Sequence, residues 1–447
     1  MSSPRRKTTV VDDDTWASLL PDDLLLDIFR RLHTTDLTRC CCTCKPWRRA
    51  MIVFVASGHL RPRPDGFVPD LLVGVFHVIH VARSYYKHAP LRRVPGPLQS
   101  ALPSTAGAHY YFVPAIAGGD HRASSSYGEV VASRDGFVLL VDARRKAEGL
   151  CLANLITGAC TLLPAATVDV DDDNFNYVLV TADDLSGDDG PAVVILATAG
   201  TICDDDDRIT YQLLSLPSSG DVGAPGTWGP VQRSGQLIKS KDDKGHYYHS
   251  HMEFAGNLVV CRGGAVHWLA GPPPAGNRSR GRVTCTVALD VRTGRAWTTE
   301  LPSQCRFYDH NDRSVVLVTS GAGELSMVRS LSGYRIEVWA LVGGGGGGGG
   351  EWTLRRAIDD VRSMLPRCTE EDGWVFNRAY LNAFCPRSGC VIGVLLGQVE
   401  FRIDVESIGG SSSSSRPAVE SIGDCQRYYC YPYEMDWSTY ISKMKYF

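Results

Sequence analysis

A repeated strand–turn–strand unit limits the fold of this chain more than any other feature. Cys151-Leu152-Ala153-Asn154-Leu155-Ile156-Thr157-Gly158 leads to Thr161-Leu162-Leu163-Pro164, and Val287-Ala288-Leu289-Asp290-Val291-Arg292-Thr293-Gly294 leads to Thr299-Glu300-Leu301-Pro302. In each, an apolar run predicts a strand, Asn154 or Asp290 caps a turn through its side chain, and Gly158 or Gly294 supplies the positive φ that closes a hairpin. Upstream of each stands another hairpin signal, Ser133-Arg134-Asp135-Gly136-Phe137 and Cys261-Arg262-Gly263-Gly264-Ala265. Later relatives are Gly321-Ala322-Gly323-Glu324-Leu325 and Arg387-Ser388-Gly389-Cys390. A recurring four-strand unit is implied.

Further short apolar or alternating runs read as strands: Phe137–Val141, Tyr177–Val180, Ala192–Ala197, Tyr211–Leu216, Ala265–Leu269, Val283–Leu289, Ser314–Val318, Tyr334–Leu341 and Cys390–Leu396. Units of roughly 45 to 50 residues built from strand pairs and Gly turns indicate a β-propeller, and a span of about 340 residues holds some six or seven of them. A two-sheet sandwich or a pair of smaller β domains is the structural alternative. The Gly run 343–350, the Gly/Ser run 409–415 and the acidic runs 169–173 and 204–207 read as surface loops between strands.

The first sixty residues follow a different period. In Leu20-Pro21-Asp22-Asp23-Leu24-Leu25-Leu26-Asp27-Ile28-Phe29, Pro21 suits the first turn of a helix, and the two aspartates sit where its dipole favours carboxylates. Leu24, Leu25, Ile28 and Leu32 fall at helical spacing, while Leu26 and Phe29 load a second side. That is more apolar surface than one core needs, which leaves a face for a partner. Thr34 or Thr35 caps a second helix carrying Leu37, Cys40, Cys41 and Cys44 on one side. The crowded cysteines 40, 41, 42 and 44 lack the spaced pairs of a zinc site and read as small core hydrophobes. Pro46 then restarts a helix that presents Trp47.

From about Trp16 to Met51, the Leu-Pro start, the LLLDIF helix, the Leu-led second helix and the Cys-Lys-Pro-Trp-Arg close together resemble the F-box. Leu19, inserted between Trp16 and the Leu-Pro pair, and the cysteine-rich second helix depart from that pattern. The resemblance implies a three-helix module docking on the Skp adaptor subunit, and through it on a cullin, in an SCF-type ubiquitin ligase. Leu20, Pro21, Leu24, Leu25, Ile28, Leu32, Leu37 and Trp47 are the partner-binding residues it implies. The β region resembles the F-box-associated propeller domains of plant F-box proteins through Gly264–Leu269, Asp290–Gly294 and Val338-Trp339. The implied function is a substrate-recognition adaptor whose β domain binds a target protein.

The expected architecture is therefore mixed: a polar tail over 1–14, a helical module over 15–60, and a large all-β domain over 61–447, with Arg61-Pro62-Arg63-Pro64-Asp65-Gly66 at the boundary. A chain of 447 residues with 45 Gly and 24 Pro accommodates both units. The net charge of −3 offers no basic footprint for nucleic acid, and Arg5-Arg6-Lys7 is too short to separate a nuclear address from a polar tail. The apolar stretch Leu71 to Ala82 is too short for a membrane span and carries His77 and His80. Fifteen cysteines without regular spacing argue against a disulfide scaffold and for a reducing compartment, cytoplasmic or nuclear.

Chemistry-bearing candidates are thin. His246, His249 and His251 are divided between strand faces, and the pairs Cys385/Cys390 and Cys425/Cys430 are spaced more widely than most zinc pairs. The acidic runs lack the spaced ligands of a calcium loop, and the Gly run lacks the helix-opening lysine of a phosphate loop. No Gly-x-Ser-x-Gly elbow or His-Glu-x-x-His helix occurs. The expectation is a protein without catalytic residues, cofactor or metal. A propeller-type enzyme and a non-ubiquitylating Skp-binding scaffold are the alternatives. At the end of the chain, Asp436 caps a helix whose Trp437, Tyr440, Ile441 and Met444 share a face expected to pack on the propeller.

Overall fold

The computed structural model describes residues 20–443 apart from 33, 44, 58, 61–66, 82–84, 89–91, 94–126, 143–149, 155–159, 169–175, 186–192, 199–200, 203–207, 217–225, 236, 238–251, 272–282, 308–312, 344–349, 366–378, 396–398, 409–417 and 425–428. Several expectations therefore fall outside the described residues: the polar tail, Leu19, the 61–66 boundary, the turn after Asn154, the two acidic runs, most of the Gly run, the 409–415 run, His246, His249, His251, Cys425 and Met444.

Three short helices open the chain: α1 (Asp22–Arg31), α2 (Thr34–Thr43) and α3 (Lys45–Ala56). The sheets follow. β1 (Leu72–Val81) pairs with β2 (Tyr85–His88) and β3 (Arg92–Arg93). The second sheet is the meander β4 (Tyr127–Arg134), β5 (Phe137–Asp142), β6 (Leu150–Asn154) and β7 (Cys160–Leu163). In the third, β8 (Asn176–Thr181) leads through the helical turn α4 (Ala182–Leu185) to β9 (Val193–Thr198), and the small strand β10 (Thr201–Ile202) crosses to the fourth sheet before β11 (Thr210–Leu216) and β12 (Gln232–Arg233) finish the third. The fourth comprises β13 (Met252–Cys261), β14 (Ala265–Gly271), β15 (Cys285–Asp290) and β16 (Ala296–Glu300). The fifth runs β17 (Val315–Thr319), β18 (Leu325–Ser330), β19 (Ile336–Val342), β20 (Glu351–Ile358), and the sixth β21 (Ala379–Cys385), β22 (Cys390–Leu395), β23 (Val399–Asp404), β24 (Val419–Asp424). Finally β25 (Tyr429–Glu434) returns to β1, from Leu72 opposite Glu434 to Val78 opposite Tyr429, and α5 (Trp437–Lys443) ends the description.

Five sheets thus come from successive stretches of chain, and one joins the two ends of the β region. Innermost strands of successive sheets pack together, β25 against β4, β4 against β8, β13 against β17, β17 against β21, and β21 against β25, and the third and fourth sheets meet through a shared apolar cluster. That cyclic order is a β-propeller, in which radial packing protects the sheet edges. The apolar core lies between adjacent sheets. Val178, Val180 and Leu196 of the third meet Val260, Val266 and Trp268 of the fourth, and Leu317 and Met327 of the fifth share a cluster with Leu381 and Phe401 of the sixth.

All nine strand runs named from the sequence lie on observed strands, with edges shifted by a residue or two. The hairpin glycines work as expected: Gly136, Gly264, Gly323 and Gly389 have φ of +79°, +84°, +80° and +71° in the turns between each innermost strand and its neighbour. Asp135 precedes Gly136 with φ +48°, so both central residues are left-handed, as a type I′ turn requires. In the Asp290 turn, the carboxylate accepts the amides of Arg292 (2.9 Å) and Thr293 (3.3 Å), and Gly294 closes with φ +66°. Eight cysteines are free among the described residues, and seven of them are buried. No helix among the described residues is long and apolar enough to cross a membrane.

The helical module and the propeller share one core. Leu25, Phe29, Leu37, Cys41, Met51 and Phe54 belong to the same buried cluster as Leu71, Phe76, Val138, Tyr433, Trp437 and Ile441.

Candidate docking site

The site is built on α1. Pro21 has φ −58° and ψ 148°, and its carbonyl accepts the amide of Leu25 at 3.0 Å, so the first turn closes without a side-chain cap. Asp22 and Asp23 lie in that turn and Arg30 and Arg31 in the last, each set matched to its end of the helix dipole. One stripe, Leu25 and Phe29, points inward at 4 % and 0 % exposure. Phe29 meets Trp47 of α3 edge-on, with centroids 5.9 Å apart, and Phe54 at 6.3 Å. Leu37 of α2 (1 % exposed) and Cys41, which lies against Met51, complete the interior.

The eight sequence-derived residues therefore divide. Leu24 is exposed at 45 %, Pro21 is exposed, and Leu20, Ile28, Leu32 and Trp47 are half-buried. Leu25 and Leu37 are interior residues. Leu24 and Leu25 are adjacent, but a helix turns about 100° per residue, so the Leu24/Ile28 stripe and the Leu25/Phe29 stripe face apart. The outer stripe thus keeps apolar groups exposed or half-exposed. The surface ion pairs Asp27–Arg31 (2.7 Å) and Asp36–Arg39 (3.0 Å) are exposed and add little.

A second cluster gathers where the innermost strands end. Arg134 closes on Asp184 with two bonds of 2.7 and 2.5 Å. From the β21–β22 turn, Arg387 reaches Asp135 with two bonds of 2.6 Å and Asp184 and Thr181 at 3.2 Å, so one guanidinium ties the sixth sheet to the second and third. Thr181 donates to Asp135 at 2.5 Å. Glu434, at the end of β25, accepts the amide and hydroxyl of Ser388 at 2.6 Å each and the amide of Arg387 at 3.1 Å. Burial alone would raise the Asp135 carboxyl, but the charge and hydrogen bonds of Arg387, with Arg134 beside it, hold it well below the usual carboxylate range. Burial pushes Glu434 up despite the Ser388 bonds. The arrangement is saturated with internal partners, and the guanidiniums have no acid–base chemistry to offer near neutrality. It is a clamp on the ring.

Elsewhere, burial pushes His267 down to about 4, leaving a neutral imidazole, and the Cys261 thiol up to about 12, so Cys261 is no ready nucleophile. Among the described residues, no group of three His, Cys, Asp or Glu is placed to hold a metal ion. The sequence reading missed Arg134, Asp135, Arg387 and Glu434 as a group; their only local signal was the Arg-rich Gly hairpins, which mark turns and not what the arginines reach.

Two family descriptions match the chain: F-box-like over residues 17–52, and Domain of unknown function (DUF7595) over residues 125–445. No curated protein matches it. Among solved structures, the β-propeller domain of Cps50 (Swd1) from Myceliophteria thermophila is similar at 10 % identity, covering 65 % of this chain and 88 % of that one with a TM-score of 0.31. The computationally designed protein Ika8 follows at 12 % identity, 62 % and 70 % coverage and a TM-score of 0.26. At such scores neither carries an argument, and the propeller rests on this chain's own sheet topology.

Proposed function

Since the chain belongs to the DUF7595 family and carries an F-box-like region ahead of that domain, we propose that it is a substrate-recognition adaptor of an SCF-type ubiquitin ligase. The F-box-like helices dock on a Skp subunit, and through it a cullin, while the propeller holds a target protein. The observation that carries this is the second apolar stripe of α1. Leu24 and Pro21 are exposed and Leu20, Ile28, Leu32 and Trp47 are only half-buried, whereas Leu25, Phe29 and Leu37 are fully buried. Apolar side chains left partly or wholly exposed on one helix face suit a protein partner. Leu25 and Leu37 serve from beneath, by holding the helices. On this reading the protein transfers no group itself and works in the cytoplasm or nucleus.

The test is affinity purification of the full chain from cells treated with a proteasome inhibitor, beside Ile28→Asp. A Skp subunit and a cullin that co-purify with the wild type and are lost with Ile28→Asp support the proposal, and proteins enriched by the inhibitor are candidate targets. A wild-type chain that recovers neither subunit overturns it. Skp recovery without a cullin favours the scaffold alternative.

A further inference from the structure

The three F-box-like helices have 10, 10 and 12 residues, lengths at which isolated helices are marginal in water. Their shared interior is not closed by their own side chains. Trp437, Tyr440 and Ile441, at 6 %, 2 % and 1 % exposure, belong to the same buried cluster as Leu25, Phe29 and Met51, and they arrive on α5, from the far end of the chain. Two polar contacts fix the junction. Arg48 of α3 is 5 % exposed, and its Nε donates to the carbonyl of Ile441 at 3.1 Å. That carbonyl lies in the last turn of α5, where carbonyls lack helical partners and the dipole favours a cation. Trp437 donates its indole N–H to the Thr38 hydroxyl of α2 at 3.4 Å.

The other end of α5 is equally fixed. Asp436 accepts the amide of Thr439 through its carboxylate at 2.9 Å and that of Tyr440 through its carbonyl at 3.0 Å. Met435 donates its amide to Leu71, and Gly136 donates to the carbonyl of Glu434 at 2.7 Å. Only Met435 and Asp436 separate α5 from β25, which closes the ring, so no flexible segment intervenes.

We propose that α5 is the fourth helix of the docking module, and that Trp437 and Arg48 are positioning residues that order α1–α3 and hold them at one angle to the propeller. The contact stands on its own geometry; its orienting role rests on the adaptor reading. In a ubiquitin ligase, that angle would set where the bound target faces.

The experiment is hydrogen–deuterium exchange on the full chain, with affinity for a purified Skp subunit measured in parallel. Trp437→Ala should raise exchange across residues 22–56 by more than about tenfold while β5, β14 and β22 stay protected, and Skp affinity should fall with it. Trp437→Phe, which keeps the ring, should retain most of the protection. Ile28→Asp should lose Skp affinity with exchange unchanged, which separates docking from ordering. If Trp437→Ala also deprotects the propeller strands, Arg48→Met decides, since it leaves the apolar face of α5 intact. Unchanged exchange over 22–56 in Arg48→Met, or in a folded Trp437→Ala, overturns the proposal. A wild type that binds no Skp subunit overturns the adaptor reading instead, and the exchange results still decide this one.

Discussion

Replacing Arg387 by Met keeps an unbranched stem of similar shape and removes the guanidinium that spans three sheets. The structure sets the scale. Arg387, Asp135 and Asp184 have side-chain exposures of 16 %, 8 % and 4 %, so Asp135 would be left buried with only the Thr181 hydroxyl and the more distant Arg134 to stabilise its charge. Stranding one member of a buried ion pair costs about 3–5 kcal/mol. The cost must also depend on pH. In the wild type, Asp135 is held below its ordinary 3.8, so its contribution is complete above 3.8 and is lost as pH falls through the lower folded value. In Arg387→Met, burial without the cation raises that carboxyl, and protonation relieves the penalty. The gap between the two proteins should be widest near pH 7 and narrow towards pH 4. Urea unfolding followed by tryptophan fluorescence at both values measures this. Adding Asp135→Asn should recover more than about 1 kcal/mol. A loss below about 1 kcal/mol at pH 7, or no recovery in the double variant, refutes the clamp.

Other positions give sharper local tests. His267 is buried edge-on to Trp297 and depressed from 6.5 to about 4, so the unfolded chain takes its proton first. Stability is full above 6.5 and falls between 6.5 and 4, and His267→Phe should flatten the pH dependence of the melting temperature across that window. Leu24→Asp should weaken Skp binding without changing the circular dichroism, whereas Leu25→Asp, one residue on, should unfold α1–α3; equal effects on the fold would contradict the two-stripe assignment. Gly389→Ala places a methyl 2.2 Å from the Phe67 ring at φ +71°, and a thermal melt should show a loss of at least about 1–3 kcal/mol.

What the sequence revealed was local. Period-two runs and Gly turns are short-range chemistry, so Phe137–Val141 and its relatives, and the hairpins at Gly136, Gly264, Gly323 and Gly389, could be placed from residues within a few positions of each other. The seam between β1 and β25 could not, because nothing near Leu72 specifies Tyr433 as a neighbour of Gly74. The same limit hid the Arg387–Asp135 bonds and the Arg48–Ile441 contact, whose partners are 252 and 393 positions apart. On α1 the excess of apolar surface was legible from composition and spacing. Which leucine faced inward was not, since Leu24 and Leu25 each fit a helical stripe and only the position of Phe54 and Trp47 selects between them.

Whether the outer stripe of α1 is a Skp-binding surface is read by titration calorimetry of the purified full chain with a purified Skp subunit. Burial of a side chain such as Ile28 contributes roughly 1.5–3 kcal/mol, and a carboxylate in its place adds a desolvation cost. The wild type should show saturable one-to-one binding, and Ile28→Asp an affinity lower by more than about tenfold. No measurable binding by the wild type, or unchanged affinity in Ile28→Asp with the helices still folded, would contradict it.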